Sequence, residues 1–321
     1  MAISNFIPEV WAARLLEHLD RAHVYAQLMN RDYEGEIKAW GDTVHINQIN
    51  DVTIYDYDGN DLPTPEDPDG TQQNLVIDQA KAFNIRVKDI DNAQAKPKLM
   101  DHLIQRAAYG VSDTSDSWLG QLLAAGAPAG STLGSVASAI VPTKTTAYEY
   151  LVDLGTLLSE QNVPMLGRWA VVPPFFHALL QKDERFVGHG TAYNQGILQG
   201  GLVGSAAGFD IYVSNNAPHG YKLTMDVAIN SSKTYYTVDS KGVYSPVATP
   251  KVADIATYYE QQSSRKLLAG TNLAGSYAEQ LVTLEAYRQE KNFADAVKGL
   301  HVYGAKVVQP KALACLICAA S

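Results

Sequence analysis

The stretch from Thr43 to Lys88 limits most strongly what this chain can fold into. It opens with an alternating run, Thr43-Val44-His45-Ile46-Asn47. It closes with a clearer one, in which Phe83, Ile85 and Val87 face one way and Asn84, Arg86 and Lys88 the other. Between them, Asp56 to Gly70 carries Asp-Gly, Asn and three prolines, which is turn and loop chemistry rather than helix. Paired with each other, the two runs predict hairpin arms of roughly 40–50 Å at ~3.3 Å per residue. A two-stranded hairpin is marginal alone in water, and a loop this long is uncommon in a compact domain unless it is functional or disordered. The reading favours a tip held by something outside the chain's own core.

Charge sharpens that reading. Nine acids and no Lys or Arg lie between Ala39 and Ala80: Asp42, Asp51, Asp56, Asp58, Asp61, Glu66, Asp67, Asp69 and Asp78. The whole chain has 34 acids and 25 bases, so the net charge of −9 sits entirely on this segment. Either the tip is a solvated, self-repelling loop or it lies on a basic patch of another subunit. The inter-subunit candidates on it are Asp56, Asp58, Asp61, Glu66, Asp67 and Asp69.

A chain of 321 residues predicts about two domains with a large core. The first residues, Met1 to Phe6, show neither the basic nor the apolar region of a signal peptide. No run approaches the ~20 apolar residues of a membrane span. Two cysteines, Cys315 and Cys318, fit a reducing compartment. The acidic balance argues against a general phosphate-neutralising DNA binder.

Residues 6–29 predict an amphipathic helix, with Ile7, Val10, Trp11, Leu15, Leu19, Ala22, Ala26 and Met29 at helical spacing. At a chain end such a helix packs on its own domain or reaches a neighbour. The strongest helix signal opens at Pro97 and keeps one apolar face from Leu99 through Leu123 to about Ala125, where Gly126 can cap it; Gly110 and Gly120 weaken it and allow a kink. Gly126 to Pro142 reads as a small-residue linker. Thr146-Ala147-Tyr148-Glu149 has capping-box spacing and starts a helix that ends by Pro164. Strands are predicted at Trp169–Val172, Asp210–Ser214, Lys222–Ile229, Thr234–Val238, Gln280–Tyr287 and His301–Val308, with a short helix from Phe175 to Leu180. Residues 251–279 give no assignment.

No chemical motif survives inspection. The Gly-rich run Gly196–Gly208 lacks the Gly-Lys-Ser/Thr ending of a P-loop and reads as a flexible loop. Cys315-Leu316-Ile317-Cys318 is a lone CxxC with no second pair to complete a zinc site, so buried thiols are the better reading. His177 and His189 flank Asp183 and Glu184 at a spacing that matches no metal motif. Asp56 to Asp61 lacks the full calcium-loop pattern. No catalytic, cofactor-binding or metal residue is assigned, and no cofactor is expected.

The order of arm, long loop and long helix resembles one family, the major capsid proteins of tailed double-stranded-DNA bacteriophages, whose fold also builds herpesvirus shells. The resemblance rests on Phe6-Ile7-Pro8-Glu9-Val10-Trp11, Trp40-Gly41-Asp42-Thr43-Val44 and the Leu99–Leu123 helix. Further on it rests on Asn162-Val163-Pro164 with Arg168-Trp169-Ala170-Val171-Val172-Pro173, on Phe209 to Asn216, and on Tyr303 to Pro310. It implies an α+β capsid fold: an N-terminal arm (1–42), an extended β-hairpin loop (43–90), a peripheral domain with a spine helix (91–140 and about 250–300), and an axial domain with a mixed sheet (141–250 and 301–321). It implies a non-enzymatic subunit made in the host bacterial cytoplasm and residing in the virion, self-assembling into hexamers and pentamers of an icosahedral shell. Implied partners are other copies of itself, a separate scaffolding protein, portal and cement proteins, and packaged DNA held non-specifically on the inner face, with no membrane. On the arm, Phe6, Trp11, Arg14 and Arg21 become inter-subunit candidates. Some members join subunits by a Lys–Asn isopeptide bond from the extended loop. Here Lys38 and Lys81 bracket a loop without lysine, and Lys81 and Lys88 fall on the returning strand, so a non-covalent shell is expected. The alternatives are a soluble nucleotide- or metal-dependent enzyme, suggested by the Gly-rich run and His177/His189, and a bacterial nanocompartment shell.

Overall fold

The computed structural model describes residues 24–32, 41, 43–49, 53–54, 70–88, 99–183, 202–224, 229–230, 232–288 and 294–320. Of the expected arm helix, only its end is described, as helix α1, Tyr25–Leu28. Phe6, Trp11, Arg14, Arg21 and the six acids of the tip lie outside the described residues.

The fold is mixed α+β, organised around helix α2, Leu99–Gly126. At 1.5 Å per residue it is a rod of ~42 Å. Ile104, Ala108, Trp118, Leu119, Leu122 and Leu123 are buried along one face. The helix runs through both Gly110 and Gly120. Gly120 has a packing reason: a Cβ there would meet the Tyr25 ring at 2.9 Å.

Behind α2 lies a nine-stranded sheet. Its centre is β11 (Tyr259–Thr271), flanked by β5 (Arg168–Val172) and β14 (Leu313–Cys318). Every residue of β5 and β14 is buried. Both faces of the sheet are covered, which explains the continuous apolar runs. On one face Ala170, Val172, Leu267, Leu316 and Cys318 pack under α3 (Ala147–Glu160) and α4 (Pro174–Gln181) through Leu151, Leu154, Leu158, Phe176 and Leu180. On the other, Trp169, Val171, Leu268 and Cys315 meet Trp118, Leu119, Leu122 and Leu123 of α2. The sheet is mixed: β5 runs parallel to β7 (Phe209–Val213), while β11 is antiparallel to β5 and β14. The unassigned stretch 251–279 thus supplies the central strand.

A second sheet holds three long antiparallel strands in the order β12 (Gly275–Arg288), β13 (Ala294–Val307), β3 (Gln79–Lys88). Its strands are longer than the sequence predicts. β13 runs unbroken past residue 300, and β11, although within 250–300, belongs to the nine-stranded sheet. Sheet membership therefore divides the chain differently from boundaries at residues 250 and 300.

Several expectations are corrected. Thr43–Ile49 (β1) pairs not with 81–88 but with β2, Gly70–Val76, in the register Thr43↔Val76; β3 pairs instead with β13. The sequence between the alternating runs contains another strand, TQQNLV, whose glutamines hide the alternation. Lys81 and Lys88 therefore sit on the three-stranded sheet, not on the hairpin. Residues 126–142 are no free linker: Thr132–Leu133 (β4) lies parallel to β14, and Ile140 bridges Cys318. The capping box does not form, because the Thr146 hydroxyl accepts the Thr143 N–H at 3.0 Å instead. Within the Gly-rich run, Leu202–Ala206 is strand β6, turning through Ala207-Gly208 into β7. The strand expected at 222–229 is described as β8, His219–Leu223.

Candidate inter-subunit surfaces and their anchors

The hairpin is anchored at its base. Val44, Ile46, Leu75 and Ile77 are buried against Ala278 and Val302 of the three-stranded sheet, while His45, Gln72 and Asn74 of the same strands are exposed. This half-buried alternation is what a strand pair with one covered face requires. Gly304 makes the close approach possible: a Cβ on it would stand 2.4 Å from the Val76 carbonyl oxygen and 2.9 Å from Ile77 Cα. Gly41, at φ +92, turns the chain into the hairpin and donates its N–H to the Ile77 carbonyl at 3.0 Å. Just beyond, Asp78 pairs with Lys241 at 2.8 Å, and the Lys241 ammonium sits 5.3 Å from the centre of the Trp118 ring. The hairpin base is thus tied to α2 and to the turn at Asp239–Gly242.

The root of the N-terminal arm is held more tightly. Asp116, buried in the middle of α2, accepts the backbone N–H groups of Val24 and Tyr25 on Oδ1 at 3.0 and 2.9 Å. It also accepts Asn216 Nδ2 on Oδ2 at 3.1 Å. A carboxylate at the start of α1 satisfies N–H groups that the helix itself leaves without partners. Six residues on, Asn30 joins β12 through Asn30 N–H to Gly275 O at 3.0 Å and Tyr277 N–H to Asn30 O at 2.9 Å. Arg31 then pairs with Glu279 at 2.7 Å. Glu279 also accepts the Tyr277 hydroxyl at 2.6 Å and faces His301 Nε2 at 3.1 Å. Burial, and next the Glu279 charge, raise the Tyr277 pKa well above its ordinary value.

A third surface lies on the three-stranded sheet, where β12, β13 and β3 run side by side. A cavity of about 430 Å³ there is lined by Ala82, Phe83, Asn84, Glu285, Lys298, Gly299 and Leu300. Lys298 pairs with Glu285 at 2.7 Å and lies 5.6 Å from the Tyr287 ring centre; Arg86 is exposed beside them.

With this geometry in place, comparison decides the family. A model of the phage capsid protein family matches residues 71–316, most of the chain. The chain belongs to the phage capsid protein family. Among curated proteins no sequence relative was found. The capsid protein shares its fold with a structure from Mycobacterium phage Che8, at 23% identity, 92% coverage of this chain, 90% of the other and a TM-score of 0.65. It is also similar to the capsid of cyanophage P-SCSP1u, at 15% identity, 94% and 87% coverage and a TM-score of 0.61. The likeness to the encapsulin SrpI complex of Synechococcus elongatus PCC 7942 is weaker, at 10% identity, 91% and 85% coverage and a TM-score of 0.51. The role of this capsid protein is structural.

Of the residues weighed for chemistry, the structure of the capsid protein describes His177, Asp183, Cys315 and Cys318. His177 is half-buried on α4, where burial lowers its pKa, and His189 and Glu184 lie outside the described residues. Cys315 and Cys318 are buried, and a spacing of three along a strand sends them to opposite faces of the sheet. They can therefore neither pair with each other nor chelate one ion. Among the described residues, no three His, Cys, Asp or Glu side chains gather, and no helix is long and apolar enough to cross a membrane.

The anchors themselves escaped sequence reasoning. Asp116 did leave a signal, because Ser112, Ser115 and Asp116 occupy helical spacing with Leu119 and Leu123 on the buried stripe, where polar residues need partners. Glu279, Lys241 and Gly304 left none, since their partners are distant in sequence.

Proposed function

We propose that the chain is the major shell subunit of a tailed phage, assembling with copies of itself into the hexamers and pentamers of an icosahedral shell around double-stranded DNA. The observation that carries this reading is the anchoring of two segments. The chain before Val24 and the chain between Ile49 and Gly70 both start from buried clamps on the same body. Segments that transmit force between subunits need such roots. The acidic tip, Asp56 to Asp69, lies on a basic patch of a neighbour. The arm, with Phe6, Trp11, Arg14 and Arg21, packs under a second neighbour. The peripheral domain comprises α2 and the three-stranded sheet, and the axial domain the nine-stranded sheet. The subunit catalyses nothing, keeps no metal or cofactor, and assembles on a separate scaffolding protein, with portal and cement proteins completing the particle.

Electron microscopy of the expressed protein tests this. Closed shells of megadalton mass support it, and a small, monodisperse oligomer overturns it in favour of an enzyme. The encapsulin likeness makes a nanocompartment the second reading. Protein cargo without nucleic acid in particles from infected cells selects that reading.

A further inference from the structure

We infer that Asp116 is a relay between the N-terminal arm and the axial turn at Ser214–Asn216, so that displacing one loosens the other. One carboxylate serves both limbs: Oδ1 takes the Val24 and Tyr25 N–H groups, and Oδ2 takes Asn216 Nδ2. Asn216 Nδ2 also donates to Asp113 Oδ1 at 2.8 Å, one helical turn before Asp116. The far limb continues into the sheet. The Asn216 N–H donates to Ser214 Oγ at 3.1 Å, and the Ser214 N–H to the Val172 carbonyl at the end of β5 at 3.1 Å. Packing reinforces the polar contacts at the same place, since a Cβ on Gly120 would stand 2.9 Å from the Tyr25 ring and 3.4 Å from the Asn216 carbonyl oxygen. A buried carboxylate is tolerated only while its acceptor sites are filled. Withdrawal of the arm takes two donors from Oδ1, and withdrawal of the turn takes one from Oδ2, so each limb holds the carboxylate in place for the other.

The use of such a relay rests on the capsid reading: an arm engaged by a neighbour fixes the axial sheet, and subunit shape then reports arm occupancy. The geometry stands without that reading. Asn216→Ala removes the turn's limb at a residue whose side-chain amide donates to Asp113 and Asp116. Hydrogen exchange in the unassembled chain is read as the rate at Val24 and Tyr25 divided by the rate at the β14 core amides. A ratio about tenfold above wild type is expected. An unchanged ratio, with or without general loosening, overturns the relay. In assembled material the same variant should give a broader spread of particle diameters, and diameters matching wild type would count against the relay. Wild-type protein that makes no shells at all would defeat the capsid reading and leave the exchange ratio to judge the relay.

Discussion

The nine-stranded sheet and the hairpin use strands in opposite ways. In the sheet, β5 and β14 bury every residue, and helices close one face while α2 closes the other. In the hairpin, four apolar side chains grip the three-stranded sheet while their neighbours face water. The first region is complete within one chain. The second is anchored by one face and presents the other. The difference separates what stabilises the subunit from what is available to join it to another.

Replacing Asp56–Asp69 by a short Gly-Ser turn should break that division most visibly. The monomer should fold with unchanged thermal stability, yet form no shells in the microscope; normal shells from this variant would make the tip dispensable. Leu316→Ala tests the other side. It empties a fully buried site between two covered faces and should cost about 2–5 kcal/mol in urea unfolding. A cost below about 1 kcal/mol would mean that the sheet collapses into the gap and is less tightly packed than described.

The joint between the regions is sharpened by a pair of glycines. Gly304→Ala must push the Val76 and Ile77 backbone away and should destabilise by about 1–3 kcal/mol. Gly110→Ala, with nothing within 4 Å of the new methyl, should stabilise α2 by about 1 kcal/mol. Equal effects would remove the argument for a tight hairpin seat.

The cysteines provide a smaller, pH-dependent effect. Burial pushes both thiols from an ordinary 9.0 up to about 12. The folded state then holds protons that the unfolded state releases, so the contribution is whole below pH 9 and lost as pH rises from 9 toward 12. Unfolding free energy should fall across that window in wild type and fall less in Cys315→Ala/Cys318→Ala; parallel curves would show that the thiols are not the cause. Smallest of all is the expected change on an electrophoresis gel. Mature particles boiled in detergent should give one band near the 34.9 kDa monomer with or without reductant. A ladder that survives reduction would reveal a covalent lock, and one that collapses would point to the two thiols.

Local pattern was enough for α2, α3, β5 and β7, because each is long or apolar enough for its own periodicity to declare it. The pooled charge of the Asp42–Asp78 segment is likewise a property of composition alone. Family membership, too, lay in short stretches of residues. Tertiary structure alone decided the pairings. Thr43–Ile49 chose Gly70–Val76 because Leu75 and Ile77 join Val44 and Ile46 over Ala278 and Val302, a core shared by strands more than two hundred residues apart. β11 went unread because its outer half is polar and only its inner half, Leu267 to Thr271, is sealed between β5 and β14. Asp116, Glu279 and Lys241 became anchors only when distant donors and charges reached them. Sequence periodicity reports which face of a segment avoids water; it does not report which other segment will cover that face.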